Sequence, residues 1–323
     1  MQWVTQVTYW YERESKAMAL TGVLRAGFVQ FRVLEIDEAL THYVDHIGLD
    51  LVEKADDERV YLRGYDEFDR HSIVLREADS PGVDLMAFKV AAEAELDTFE
   101  KRVSDFGLAV DQVAAGEQPG VGRRIGFTLA SGHRIELYAE MERSDNGPIV
   151  ENPDVWRDDP RGMRALGFDH CLFYGPNVAE VSRFFTEALD FALVEKVETP
   201  DGPIAVWLSS STKSHEIAFV DHAEPGKFHH VSFLLESWND VGHAADIIAR
   251  YDISRDVGPT RHGITRGQTI YFFDPSGNRN EVFSGGYSYF PDHPTRVWTP
   301  DQLGKGIFYY EKELNDRFLG VVT

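Results

Sequence analysis

The stretch Thr260–Phe283, TRHGITRGQTIYFFDPSGNRNEVF, places His262, Tyr271 and Glu281 in what is otherwise a tight β-hairpin. Such groups move protons or bind metal, and packing a hairpin requires none of them. The hairpin is read from Gln268–Asp274, rich in β-branched and aromatic residues, and from the returning run Arg279–Ser284. Between them lies Asp274-Pro275-Ser276-Gly277-Asn278, where proline presets φ and glycine accepts a positive one. Strand alternation puts Tyr271 and Phe273 on one face, Ile270 and Phe272 on the other, and Glu281 with Arg279 and Phe283. A carboxylate among apolar neighbours must be paired, ligated or exposed. Its chemistry depends on what lies opposite.

An internal repeat supplies the opposing residues. GLDLVEK at Gly48–Lys54 returns as DFALVEK at Asp190–Lys196, 142 residues on, and SGHRIELY at Ser131–Tyr138 returns as SGNRNEVF at Ser276–Phe283, 145 residues on. Two matched blocks in the same order predict a duplicated domain. At those offsets His170 falls opposite Phe28, His230 opposite Leu85 and Glu281 opposite Glu136. The second half therefore has His, His and Glu where the first has Phe, Leu and Glu. Two imidazoles and one carboxylate on one face of an ion leave the other positions open for substrate and O₂, the 2-His-1-carboxylate triad of non-heme Fe(II) enzymes. Glu136, lacking the histidines, is expected as a relic or an ion-pair partner.

These residues need strands to carry them, and each half reads twice as strand, helix, strands. The first half offers a strand Gly27–Val33, a helix with apolar face Ile36, Ala39, Leu40, Tyr43, Val44 and Ile47 closed by Gly48, and strands near Val60–Leu62 and Ser72–Arg76. A strand Leu85–Val90 and a helix Glu93–Phe106 follow. The second half repeats this with Cys171–Tyr174, helix Val178–Leu189, strands near Val206 and Ile217, strand Val231–Leu235 and helix Trp238–Tyr251. The fold class expected is α+β: four βαβββ modules paired into two barrel-like domains, their curved sheets mostly antiparallel and their helices outside. The expected division is an N-terminal extension (1–22), an N-terminal domain without a metal site (23–150) and a C-terminal catalytic domain (151–323), with the polar Arg143–Pro160 as linker. Asp301–Phe318 reads as an amphipathic terminal helix through Leu303, Ile307, Leu314 and Phe318. Trp3, Tyr9, Trp10 and Tyr11 read as an interface or a loose tail.

Composition narrows the function. With 32 Lys and Arg against 54 Asp and Glu, the formal charge of −22 argues against nucleic acid or an anionic membrane as partner. The single cysteine, Cys171, excludes an intramolecular disulfide and any multi-cysteine metal cluster; with no membrane-length apolar run and no signal-peptide pattern, the expected location is cytoplasmic. Parity turns His229 away from His230, and Cys171 away from His170. His71, near the first-half counterpart of His215, reads as structural.

The strings FDHCLFY, FHHVSF, GPTRHG and TIYFFDPSGNRNEVF resemble the extradiol ring-cleaving dioxygenases of the vicinal oxygen chelate superfamily, in particular the catechol 2,3-dioxygenases, and the resemblance runs from about Gly22 to Thr323. It implies metal ligands His170, His230 and Glu281 holding Fe(II), with Mn(II) accepted by the same donors. It implies catalytic groups His215, His262 and Tyr271, His215 exchanging the substrate proton, a task suited to a group titrating near neutrality. Trp207, Ile264, Thr265, Ile307 and Phe318 match positions that line the ring site; Trp207 and Arg266 depart from the residues expected there, and a bulkier indole would narrow the pocket. The implied reaction is meta cleavage of catechol or a small substituted catechol by O₂ to a 2-hydroxymuconate semialdehyde-type product, in a family that tends toward homotetramers. Two alternatives stand beside it: another metal chemistry of the superfamily, such as a glyoxalase-like isomerase or a transferase, which would lack the combined His215, His262 and Tyr271, and a non-enzymatic binding module, which would need no metal ligands.

Overall fold

The computed structural model describes residues 22–56, 58–155, 160–290 and 292–323. Trp3, Tyr9, Trp10 and Tyr11 of the expected extension lie outside the described residues. The first half runs β1 (Val23–Val33), α1 (Ile36–Leu40, continued by a π-helical turn Thr41–Ile47), β2 (Asp50–Lys54), β3 (Arg59–Arg63) and β4 (Ile73–Glu77). It then repeats as β5 (Gly82–Val90), α2 (Glu93–Phe106), β6 (Asp111–Val113), β7 (Arg124–Thr128) and β8 (Arg134–Tyr138). The second half has β9 (Gly167–Gly175), α3 (Val178–Ala188), β10 (Ala192–Thr199), β11 (Gly202–Ser209) and β12 (Ile217–Asp221). Its second unit is β13 (Lys227–Leu234), α4 (Trp238–Arg250), β14 (Arg255–Arg261), β15 (Gly267–Phe273) and β16 (Arg279–Gly285), followed by β17 (Arg296–Trp298). Four βαβββ modules are present, as the repeat predicts. Gly48 ends the π-helical turn at φ 94°, a left-handed conformation that a residue with a Cβ resists.

Two sheets result, ordered β2-β3-β4-β1-β5-β8-β7-β6 and β14-β15-β16-β13-β9-β12-β11-β10-β17. In each, the first strands of two modules pair antiparallel at the centre, β1 with β5 and β9 with β13. Register makes the halves superposable: Val29 pairs with Met86 and Met86 with Ile135, just as Cys171 pairs with Val231 and Val231 with Asn280. One residue along from each, Phe28 answers to His170, Leu85 to His230 and Glu136 to Glu281.

The helices pack against the buried face of each sheet, yet they are shared between the halves. One apolar cluster runs from Val23 to Val282, and Phe184 of α3 packs on Phe106 and Phe127 while Phe185 packs on Phe88. Polar contacts cross the same seam, Tyr43 Oη donating to Asp274 Oδ2 at 2.9 Å and His42 Nε2 lying 2.7 Å from Asn280 Oδ1. Two solvated domains would have left these faces wet; burying them jointly removes far more apolar surface from water.

The expected terminal helix is a correction. Asp301–Phe318 is a 3₁₀ turn Pro300–Gln302, a short α5 (Leu303–Ile307), a doubled-back loop and α6 (Asp316–Gly320). Two glycines in Leu303-Gly304-Lys305-Gly306-Ile307 weaken the first helix, Phe308 is extended, and Lys312 takes φ 59° as the chain turns. Asn315 restarts helix by accepting from Arg317 N and Phe318 N. Ile307 and Phe318 then reach the second sheet from separate segments.

Candidate metal centre

Strands β16, β13 and β9 are consecutive in the second sheet, and Ser232 of β13 pairs with both Glu281 and His170. The ligand candidates therefore converge from three adjacent strands. His170 Nε2 lies 2.9 Å from Glu281 Oε2, and His230 Nε2 lies 3.4 Å from that oxygen and 3.3 Å from His170 Nε2. All three residues are buried. Glu281 Oε1 accepts from Thr269 Oγ1 at 2.6 Å, whereas Oε2 has no hydrogen-bond partner among the described residues. A buried carboxylate oxygen without a donor is costly. Burial pushes the Glu281 carboxyl up, but attraction to His170 and the close approach of His230 and His262 outweigh it and hold the group well below the usual carboxylate range.

The first half shows what fills the equivalent place there. Glu136 Oε2 accepts from Arg124 Nε at 2.6 Å and Oε1 from Arg134 Nε at 2.8 Å, and Arg124 also pairs with Glu117. Arg124 is opposite Tyr138 in β7–β8 as Thr269 is opposite Phe283 in β15–β16, so Thr269 stands where Arg124 would be. The first half carries its own cation. In the second half, among the described residues, the ion-pair partners of Glu281 are all histidines, with no arginine or lysine among them. Two imidazole nitrogens and a carboxylate oxygen, converging with no arginine or lysine between them, fit a divalent metal.

The other residues expected at the site surround this centre. His262 Nε2 is 2.8 Å from Tyr271 Oη, and His262 Nδ1 contacts the Ile307 carbonyl. The His215 ring lies 4.0 Å from that of His170. Burial, then the charge of His170, pushes the pKa of His215 well below its ordinary value. Trp207, Ile264, Thr265, Ile307 and Phe318 all line one cavity with His170, His230 and Glu281, together with Leu172, Ile204 and Leu303. Arg266 instead places its guanidinium over the Tyr287 ring. Glu195, fully buried, secures the wall by accepting from Thr265 N at 2.7 Å, Tyr287 Oη at 2.7 Å and Trp298 Nε1 at 2.6 Å.

Two placements were missed from sequence. Asp169 Oδ2 lies 2.6 Å from His170 Nδ1, and Lys213 Nζ donates to Asp169 Oδ1 at 2.8 Å. Burial raises the Asp169 carboxyl, but Lys213 and His170 outweigh it and hold the group low. His229 was expected to face away from His230. A bulge in β13, where Phe228 pairs with Phe173 and His230 with Leu172, leaves His229 without a partner of its own and turns it into the same cavity. The first half has the same irregularity, since the pairing of β1 with β5 skips Asp84, the counterpart of His229. Cys171 does face the apolar core, as parity predicts.

The chain matches two family models, the catechol 2,3-dioxygenase-like N-terminal domain over residues 83–142 and the glyoxalase/bleomycin resistance protein/dioxygenase superfamily over residues 167–282. It is 50% identical over 304 residues to a metapyrocatechase of Pseudomonas sp. (strain CF600), covering 94% of this chain and 99% of that one. It is 28% identical to a manganese-dependent 2,3-dihydroxybiphenyl 1,2-dioxygenase of Geobacillus genomosp. 3, covering 90% and 95%. Among solved structures, the 2,3-dioxygenase LapB from Pseudomonas sp. KL28 superposes with a TM-score of 0.85 at 46% identity, over 88% of this chain and 99% of that one. Among the described residues, no helix is long and apolar enough to cross a membrane.

Proposed function

The chain belongs to the catechol 2,3-dioxygenases, extradiol ring-cleaving enzymes of the vicinal oxygen chelate superfamily, and on that premise we propose which of its residues carry the reaction. The ring bond between a hydroxylated carbon and its unhydroxylated neighbour breaks, and both atoms of O₂ enter the product. Catechol and O₂ together have the composition of 2-hydroxymuconate semialdehyde, so no external reductant is needed. The substrate is catechol or a small substituted catechol.

The observation that carries this reading is the buried convergence of His170, His230 and Glu281 around a carboxylate oxygen that has no donor among the described residues. These residues would hold Fe(II), with Mn(II) acceptable to the same donors. Bound there, the metal supplies a common site for catechol and O₂ and a path for charge between them.

The chain supplies the rest. His215, neutral and buried, takes a proton from an arriving catechol hydroxyl and returns it as the ring opens. The Ile307 carbonyl can only accept, so a singly protonated His262 keeps its proton on Nδ1 and offers Nε2 to the Tyr271 hydroxyl. Tyr271 Oη sits 2.8 Å from that nitrogen beside the candidate ligands, and its hydroxyl turns its proton from His262 Nε2 to an arriving substrate oxygen as charge develops there. Trp207, Ile264, Thr265, Ile307 and Phe318 hold the ring and exclude water. The metal-free first half serves as the frame, and a cytoplasmic homotetramer is part of the same reading.

The test is to load the apoprotein anaerobically with Fe(II), then mix it with catechol and air. Oxygen uptake with a yellow, near-visible-absorbing product is expected. No uptake with any catechol sinks the proposal.

A further inference from the structure

We propose that His229 is a positioning residue for the metal ligand His230, fixing its tautomer through a hydrogen-bond chain that begins at the backbone of the C-terminal helix. The inference rests on the metal reading of the site. It concerns a residue to which that reading assigns no role.

The chain has three links. His229 Nε2 lies 2.9 Å from the Phe318 carbonyl of α6, His229 Nδ1 lies 2.7 Å from His230 Nδ1, and His230 Nε2 points at Glu281 Oε2 and His170 Nε2. A carbonyl oxygen only accepts, so His229 Nε2 carries the proton and donates. A neutral His229 then has a bare Nδ1, which accepts, and His230 Nδ1 must be the donor. His230, its single proton spent on that bond, presents a bare Nε2 toward the centre, the form a metal requires. Reversing any link would set two protons or two lone pairs face to face.

The surroundings hold this geometry. His229 is 1% exposed, stacked at 4.7 Å on Tyr174 and edge-on at 4.8 Å to Phe318. The bulge in β13 is what puts two successive histidines on one side of the strand. His170 receives the corresponding support from Asp169. Docking of α6 is thereby transmitted to the metal ligand.

The experiment uses three variants of the full-length apoprotein and measures Mn(II) dissociation constants by electron paramagnetic resonance, with thermal melts of the apo forms. Asn places its amide oxygen near the His Nδ1 position and can still accept from His230; Gln places its amide nitrogen near Nε2 and keeps only the bond to Phe318; Phe keeps only the ring stack. The relay predicts that His229→Gln and His229→Phe each weaken Mn(II) binding roughly 10- to 100-fold, and that His229→Asn recovers most of it. A purely packing role predicts the reverse order, with His229→Phe nearest to wild type, and that result overturns the proposal. So does equal loss in Asn and Gln, a comparison that stands even if His229→Phe does not fold. Absence of Mn(II) binding in the wild type would instead remove the metal reading itself.

Discussion

Replacing Glu136 and Glu281, the two counterpart glutamates, should have opposite consequences, because one is neutralised by an arginine and the other is not. Arg124 and Glu136 are buried, with side chains 1% and 3% exposed. Glu136→Ala leaves a guanidinium that cannot discharge its proton inside the protein. Breaking such a pair costs about 3–5 kcal/mol. Glu117 still pairs with Arg124 but is 42% exposed, so the lower end applies, about 3 kcal/mol. At about 2 °C per kcal/mol for a chain this long, the apoprotein should melt about 6 °C lower. Its Mn(II) affinity should stay at the wild-type value. Glu281→Ala leaves only histidines behind, and these can become neutral, so above pH 8 the apo melt should move little. Its metal affinity should fall by more than the roughly 10- to 100-fold of an outer-partner loss, since a direct ligand has gone. Calorimetric melts of both apoproteins and Mn(II) titrations give the four numbers. Loss of metal in Glu136→Ala, or an equal destabilisation of the two apoproteins, refutes the reasoning.

Further outcomes follow from the same structure. His42, His71 and His133 are buried, and burial pushes each from 6.5 down to about 4. The unfolded chain then binds more protons between those values, so their contribution is complete above about pH 6.5 and is lost as pH falls toward 4, by about 3 kcal/mol for each group. Urea unfolding of the apoprotein from pH 7.5 to 5 should show this, and a His42→Gln variant with an unchanged pH slope would contradict it. Thr269→Arg should reproduce the first-half arrangement, pairing with Glu281 and abolishing Mn(II) binding in a folded protein; wild-type affinity in that variant counts against the comparison of halves. His215→Asn and Tyr271→Phe should each lower kcat by roughly 100- to 10,000-fold while metal affinity holds, and a parallel loss of metal would make them structural. Trp207→Leu should shift kcat/KM toward bulkier alkylcatechols by roughly 10-fold, and an unchanged ranking across a catechol panel removes Trp207 from the ring site.

Much of this site was legible because duplication made the sequence its own control. Where two halves share a register, a position that differs in chemical type stands out: Phe28 against His170, Leu85 against His230. What escaped was whatever depended on the exact course of the chain. Strand parity assumes an unbroken two-residue period, and one bulge reverses it, which is why His229 was placed on the wrong face. The terminal segment shows helical spacing, but two glycines and the turn at Lys312 break it, and no periodicity rule reports that the fragments dock separately. The helices' shared burial was hidden too, since an apolar face does not say which sheet covers it.

The role of Arg124 is hidden in the sequence for a different reason. Both halves keep the glutamate, and what separates them is the residue that neutralises it, an arginine whose type marks no ligand. A buried carboxylate must find a cation or a set of donors. In the first half the cation is covalent, an arginine on the neighbouring strand. Thr269 at the matching position supplies one neutral hydrogen bond and leaves the second oxygen bare. The two histidines then decide what fills the deficit, because each offers a lone pair rather than a charge and so selects an ion that accepts electron pairs. Gaining a metal site from this scaffold thus takes two steps together, addition of His170 and His230 and removal of the arginine. A half with the histidines but with arginine retained at position 269 would hold the carboxylate satisfied and the metal excluded.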